Sequence, residues 1–217
     1  MRVALIRALT TSDPRLRHAQ AHALEQAYGL TVVSRAIADQ PTGVHDGCTL
    51  ARAAPKVLAL AREMEAGVDA VLISCTADPG LAEARKALGV PVVGAGSAGA
   101  ASARALGGTV GVLGVEGTIP AAVLDGLAGH PSLTATVQGV TDPSGFHSPS
   151  GALEAAEEAR RLRDAGADVI LLASAALTSI GLADHLRAAL GVPVVDPVVA
   201  AGAALVAAVA ARGSAAA

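Results

Sequence analysis

The chain has almost no aromatic residues: among 217 positions there is no Trp, one Tyr (Tyr28) and one Phe (Phe146). Hydrophobic residues nevertheless make up 52%. The core must therefore be Val, Leu, Ile and Ala, which suits parallel strands buried on both faces and read as continuous apolar runs. The lack of aromatics also removes stacking platforms for bases. A net charge of −3 with no basic block removes the electrostatic footprint, so nucleic-acid binding is not expected. Two cysteines, Cys48 and Cys75, do not make a disulfide framework. The opening stretch MRVALIRALTTSDP holds too short an apolar run for a signal segment or a membrane span. The expected location is the cytosol, with both thiols reduced and no membrane partner. Metal-ligand clusters are also missing. His18 and His22 share a helix face at i, i+4, but no third ligand lies nearby, so they read as a solvated face and no metal is expected.

What is present is a repeat. Residues 69–75 read DAVLISC and residues 168–174 read DVILLAS. Asp69 matches Asp168 and Cys75 matches Ser174, at an offset of 99; Pro91 matches Pro193, at an offset of 102, in LGVPVVG and LGVPVVD. VALIRALTT (3–11) aligns with VGVLGVEGT (110–118) at an offset of 107, bringing Thr11 onto Thr118. The period is about half the chain, so the repeat reads as two similar lobes rather than a solenoid.

Strands alternate with helices throughout, which predicts an α/β fold of two pseudo-symmetric lobes, each a mainly parallel sheet flanked by helices. The first lobe is expected over 1–106 and the second over 107–197. A final helix, about 198–212, is expected to pack back on the first lobe. Asp13 or Ser12 caps the first helix and Gly29 stops it. Pro55 is expected to kink or restart the second. One helix is expected from about 174 to Leu190. The Ala-rich end (200–217) reads as a helix followed by a frayed tail.

In open α/β sheets ligands bind beyond the carboxyl ends of the strands. Thr11, Cys75, Thr118 and Ser174 all fall at such ends, so lobes facing each other would bring them into one interlobe cleft. Cys75 lies where a strand gives way to a helix. Backbone N–H groups of Thr76 and Ala77 would point at a bound anion there, and the thiol pKa is expected to be lowered. Ala175 and Ala176 offer the matching groups on the other lobe. The carbon beside such an anion would sit between Cys75 and Ser174, where a thiol can donate or abstract a proton. A hydroxyl is much less acidic, and Ser174 has no sequence-local His or Lys to activate it. A lone buried cysteine often does no more than end a strand; the duplication is what argues for chemistry.

These stretches carry a resemblance. VLISCTADPGLAEAR (71–85), VPVVGAGSA (90–98), VGVLGVEGT (110–118) and DVILLASAALTSIGLADHLRAALGVPVVDP (168–197) resemble the aspartate/glutamate/hydantoin racemase superfamily, hydantoin-racemase-like proteins above all. The resemblance implies two pseudo-symmetric α/β lobes with the active site between them. It also implies racemisation without a cofactor by two cysteines, one per lobe, on opposite faces of the α-carbon. Cys75 matches the first, and Ser174 stands where the second is expected. Relatives with one cysteine include arylmalonate decarboxylases, whose thiol is in the second lobe, so this chain resembles their mirror arrangement. The resemblance assigns anion binding to Thr76, to Gly117 and Thr118, and to Thr11 and Ser12. The expected partner is a small carboxylate or hydantoin-like molecule, and homo-oligomers are common among such relatives. A non-catalytic small-molecule binding protein is the reading from another class.

Three features stand outside that reading. Gly94-Ala-Gly96-Ser-Ala-Gly99 is a literal G-x-G-x-x-G after a strand, the pattern of a dinucleotide site, but it sits at the lobe junction and small residues there also serve close packing. Cys48, in the loop 39–49, is a second thiol within range of the cleft or simply an exposed loop residue. His147, in the loop 142–151 of the second lobe, is a candidate substrate contact or a plain loop residue.

Overall fold

The structure, a computed structural model, describes residues 1–215; the tail expected at the very end falls at 216–217, outside the described residues. In the first half, β1 (Arg2–Arg7), β2 (Thr31–Ala36), β3 (Ala70–Ser74) and β4 (Val92–Gly94) form a parallel sheet in the order β2-β1-β3-β4. In the second half, β5 (Val110–Val115), β6 (Ser132–Val137), β7 (Val169–Leu172) and β8 (Val194–Val195) form another in the order β6-β5-β7-β8.

The offsets of the sequence repeat reappear as strand register. Val3 pairs with Ala70, and Val110 pairs with Val169. The N–H of Val71 donates to the Pro91 carbonyl and that of Ile170 to the Pro193 carbonyl, both at 2.9 Å. Asp69 accepts from the Arg2 N–H and Asp168 from the Thr109 N–H, both at 2.7 Å.

The helices follow from local signals. Helix α1 (Pro14–Tyr28) is capped by Asp13 and stopped by left-handed Gly29. Helix α2 (Gly47–Met64) begins with an Asp46–Thr49 capping box. It runs unbroken through Pro55, contrary to the expected restart. Ala51, whose carbonyl loses its partner to the proline, is exposed, so water can take that bond. Helices α3 (Leu81–Ala87) and α4 (Ala95–Leu106) complete the first half. In the second half, α5 (Ala121–Gly126), a 3-10 turn (Pro143–His147) and α6 (Pro149–Asp164) precede β7. The single helix expected up to Leu190 is two, α7 (Ala175–Ser179) and α8 (Leu182–Leu190), because Gly181 between them has φ 68°. Helix α9 (Pro197–Ala215) ends the chain.

The lobes exchange helices. Ala100 and Ala103 of α4 are buried with Val110, Val112, Val169 and Leu171 of the second sheet. Val198, Ala201 and Leu205 of α9 are buried with Val3, Leu5, Ala70 and Leu72 of the first. Each sheet thus receives cover from a helix that follows the other, so neither closes its core alone. Helix α9 is long and apolar enough to cross a membrane (Pro197–Ser214, mean hydropathy 1.5), but one face of it is spent on this packing.

Both exchanged helices start at a carboxylate, half-buried at Asp78 and buried at Asp196. Asp78, from the β3–α3 loop, accepts from the N–H groups of Gly96 and Ser97 at 2.8 Å each. Asp196 accepts from those of Val198 and Val199, at 2.9 and 3.1 Å, and from the Thr178 hydroxyl at 2.9 Å.

Candidate active site

A cleft opens where the carboxyl ends of the central strands of the two sheets meet. Arg7, Ser74, Cys75 and Thr76 line it from the first lobe, and His147, Ser174, Ala175 and Ala176 from the second. The cavity volume there is about 30 Å³, so the cleft is narrow.

Cys75 is the first residue past β3 and is buried. The loop after it is tightly held. The Asp78 N–H donates to the Cys75 carbonyl at 3.1 Å, and Asp78 has φ 49°, a left-handed conformation that Asp tolerates better than most residues. The Asp78 carboxylate then binds the start of α4. Gly96 sits so close that a Cβ on it would overlap the Thr76 carbonyl oxygen. The glycines of G-x-G-x-x-G therefore serve packing: Gly94 faces the Asp78 carboxylate, Gly96 faces Thr76, and Gly99 faces Leu171 and Pro197. The helix start where a phosphate would bind already holds Asp78.

This arrangement overturns the expected acidity of the thiol. Burial pushes Cys75 up to about 12, a backbone N–H from Ala77 acts in the opposite sense, and the Asp78 charge adds to the rise. The following helix begins only at Leu81, behind Gly80, so its start does not directly follow the thiol. The start of α4 is occupied by the same Asp78. In the free protein Cys75 is a neutral thiol at physiological pH.

Ser174 is buried too, but its chain enters a helix at once. It is the N-cap of α7, and its Oγ accepts from the Ala176 N–H at 3.4 Å. Ala77 and Ala176 are 99 residues apart, the offset that relates Cys75 and Ser174. In each lobe, then, the N–H two residues on is directed at the candidate acid/base atom. One hydrogen bond ties the two segments together: the Thr76 hydroxyl donates to the Ala173 carbonyl at 2.9 Å.

Two site residues were not singled out from the sequence. Arg7, at the end of β1, is 7% exposed and donates from Nε to the Ser34 hydroxyl at 3.1 Å. Burial, and then the charge of Arg17, lowers its pKa. Its signal was an arginine closing an otherwise apolar strand. Gln20 of α1 is also buried. Its Oε1 accepts from the Ser74 hydroxyl at 2.7 Å, while its Nε2 donates to the Ala175 carbonyl at 2.7 Å and to the Ser179 hydroxyl at 3.0 Å. The helical spacing Leu16, Gln20, Leu24 carried that signal, since it sets Gln20 on the inward face.

The other candidates divide. Thr11 lines the cleft, its Oγ1 accepting from the Asp13 N–H at 3.2 Å. His147 lines it as well; its Nε2 is buried without a partner, and burial lowers its pKa against the opposing pull of Asp13. Thr118 and Ala77 instead line a neighbouring hollow with Leu50 and Ile119. The cause is a tight turn at Gly117 (φ 71°), which folds Thr118 back to bridge Val115. Gly114 below it has no side chain to block the approach. Ser12, Gly117 and Cys48 are exposed and line neither space. Among the described residues no group of three His, Cys, Asp or Glu could hold a metal ion.

The geometry has counterparts among known proteins. The chain matches the Asp/Glu/hydantoin racemase family model over residues 15–205 and belongs to that family. Allantoin racemase from Pseudomonas fluorescens superposes with a TM-score of 0.84 at 23% identity, covering 98% of this chain and 92% of that one. Allantoin racemase from Klebsiella pneumoniae gives 0.81 at 24% identity, covering 98% and 89%. A glutamate racemase from Bacillus anthracis gives 0.69 at 14% identity, covering 97% and 82%. These likenesses establish the shared two-lobe fold. No curated protein sequence matches the chain.

Proposed function

We propose that this member of the Asp/Glu/hydantoin racemase family is a cofactor-independent isomerase that moves a proton at the carbon next to a carboxylate or hydantoin-type carbonyl, with Cys75 as the acid/base. The observation that carries the reading is the pairing of Cys75 and Ser174 at equivalent strand ends in one cleft. The N–H groups of Thr76 and Ala175 and the Arg7 guanidinium hold the anionic oxygen of the substrate. In the forward step the Cys75 thiol first gives up its proton to solvent; the α-carbon–hydrogen bond then breaks, its proton passes to the thiolate sulfur, and the electron pair moves onto the carbonyl oxygen. Return of a proton completes the turnover. We further propose that the protein works in the cytosol.

The raised pKa of Cys75 supports a second reading within the same cleft. A neutral thiol facing a serine is better suited to giving a proton than to taking one. A single-cysteine decarboxylase or one-sided isomerase would use it in that way, protonating an enolate from the Cys75 side alone.

Incubating enantiopure hydantoins and amino acids with the protein in D2O separates these readings. Deuterium entry with inversion of configuration supports racemisation. Entry with retention supports one-sided chemistry. Tight binding with neither exchange nor turnover would identify a binding protein and contradict both. Cys75→Ala is expected to abolish exchange.

A further inference from the structure

On the far side of Arg7 from the cleft lies a second hollow of about 310 Å³, within the size range of small-molecule sites. Arg7, Arg17 and Arg35 line it with His18, Thr11 and Ser34, and no acidic side chain lines it. Among the described residues Arg7 and Arg17 have no ion pair. Arg35 has one, with Glu63 at 3.1 Å, but both side chains are more than half exposed, so the pair is worth little. The acid nearest in sequence to Arg17, Asp13, is held by Arg15 at 2.9 Å.

The charges of Arg7 and Arg17 in this hollow are thus uncompensated, and Arg7 is buried within it. Burial first, and then repulsion by Arg17, lowers its pKa. Buried charges are ordinarily paired. The hydroxyls also point to an acceptor ligand. Ser34 Oγ accepts from Arg7 Nε and Thr11 Oγ1 accepts from the Asp13 N–H, which leaves each hydroxyl hydrogen to be donated elsewhere.

We propose that this hollow binds a small dianionic oxyanion, a phosphate ester or a dicarboxylate, between Arg7, Arg17 and Arg35. Arg7 and Thr11 border both this hollow and the catalytic cleft, so the ligand fixes the guanidinium that faces the substrate. The site is therefore separate from the reacting carbon but shares a wall with it, and its binding does not rest on the proposed reaction.

Thermal unfolding of the full chain, titrated with inorganic phosphate and with succinate at ionic strength held constant with chloride, tests this. A saturable rise of the midpoint is expected with at least one of the two. Response to phosphate alone selects the phosphate-ester class, and response to succinate alone the dicarboxylate class. Arg17→Ala with Arg35→Ala, both at exposed positions, should weaken binding about tenfold or more, as loss of charge-assisted hydrogen bonds does. Arg17→Gln alone gives a milder second variant and should weaken it in the same direction. No saturable rise above chloride with either anion, or equal affinity in wild type and variants, would overturn the proposal.

Discussion

Thr76, the residue after the thiol in one lobe, donates its hydroxyl hydrogen to the carbonyl of Ala173, the residue before the serine in the other, at 2.9 Å. This buried bond sets the spacing between Cys75 and Ser174 across the cleft. Gln20 braces the same junction from α1, reaching Ser74 on one side and Ala175 on the other.

Thr76→Val keeps the shape of the side chain and removes the donor, leaving the Ala173 carbonyl in a buried position. A loss of about 1–3 kcal/mol is expected, measured by urea unfolding. Substrate exchange should fall by more than this loss of folded protein explains, because the two strand ends are no longer tied.

Gly96→Ala puts a methyl group into the Thr76 carbonyl. Backbone lies on both sides, so neither can yield cheaply, and a cost of about 1–3 kcal/mol is expected. Gly107→Ala offers the contrast: space around it is open, and its penalty comes from a φ of 75° alone. Thermal unfolding of both variants, with exchange assays, should show the catalytic defect only in Gly96→Ala.

The acidity of Cys75 has a sign that can be tested. Its folded pKa, pushed up to about 12, lies above its ordinary value. Between those two values the unfolded chain gives up a proton that the folded chain keeps, so stability falls as pH rises through that window. In a Cys48→Ala background, alkylation by iodoacetamide should still be accelerating from about pH 6 to about pH 10, with no plateau near neutrality. A plateau below about pH 8 would mean a thiolate at rest.

Much of this was legible in the sequence, for a physical reason. Strand register in a buried parallel sheet leaves no freedom to slip, so the matches of Asp69 with Asp168 and of Pro91 with Pro193 carried directly into pairing. The site was less legible because it depends on how loops turn. Thr11 and Thr118 match in sequence, but Gly117 reverses the chain and takes Thr118 to a different hollow. The thiol environment was misjudged because six residues separate β3 from α3, and Asp78 occupies the start of α4. The carboxylates that start α4 and α9 keep their place in the two lobes, although one comes from a loop and the other from the cap position itself. Such equivalence of charge without equivalence of sequence position is invisible to alignment.

The central claim is that Cys75 and Ser174 face one reacting carbon from opposite sides. Ser174→Cys tests it most directly, by comparing solvent-deuterium entry with inversion of configuration on the same enantiopure substrate. The account predicts that the variant inverts configuration faster than the wild type and that inversion approaches the rate of exchange, because a second thiol now serves the second face. A folded variant with unchanged inversion, while Cys75-dependent exchange persists, would contradict it.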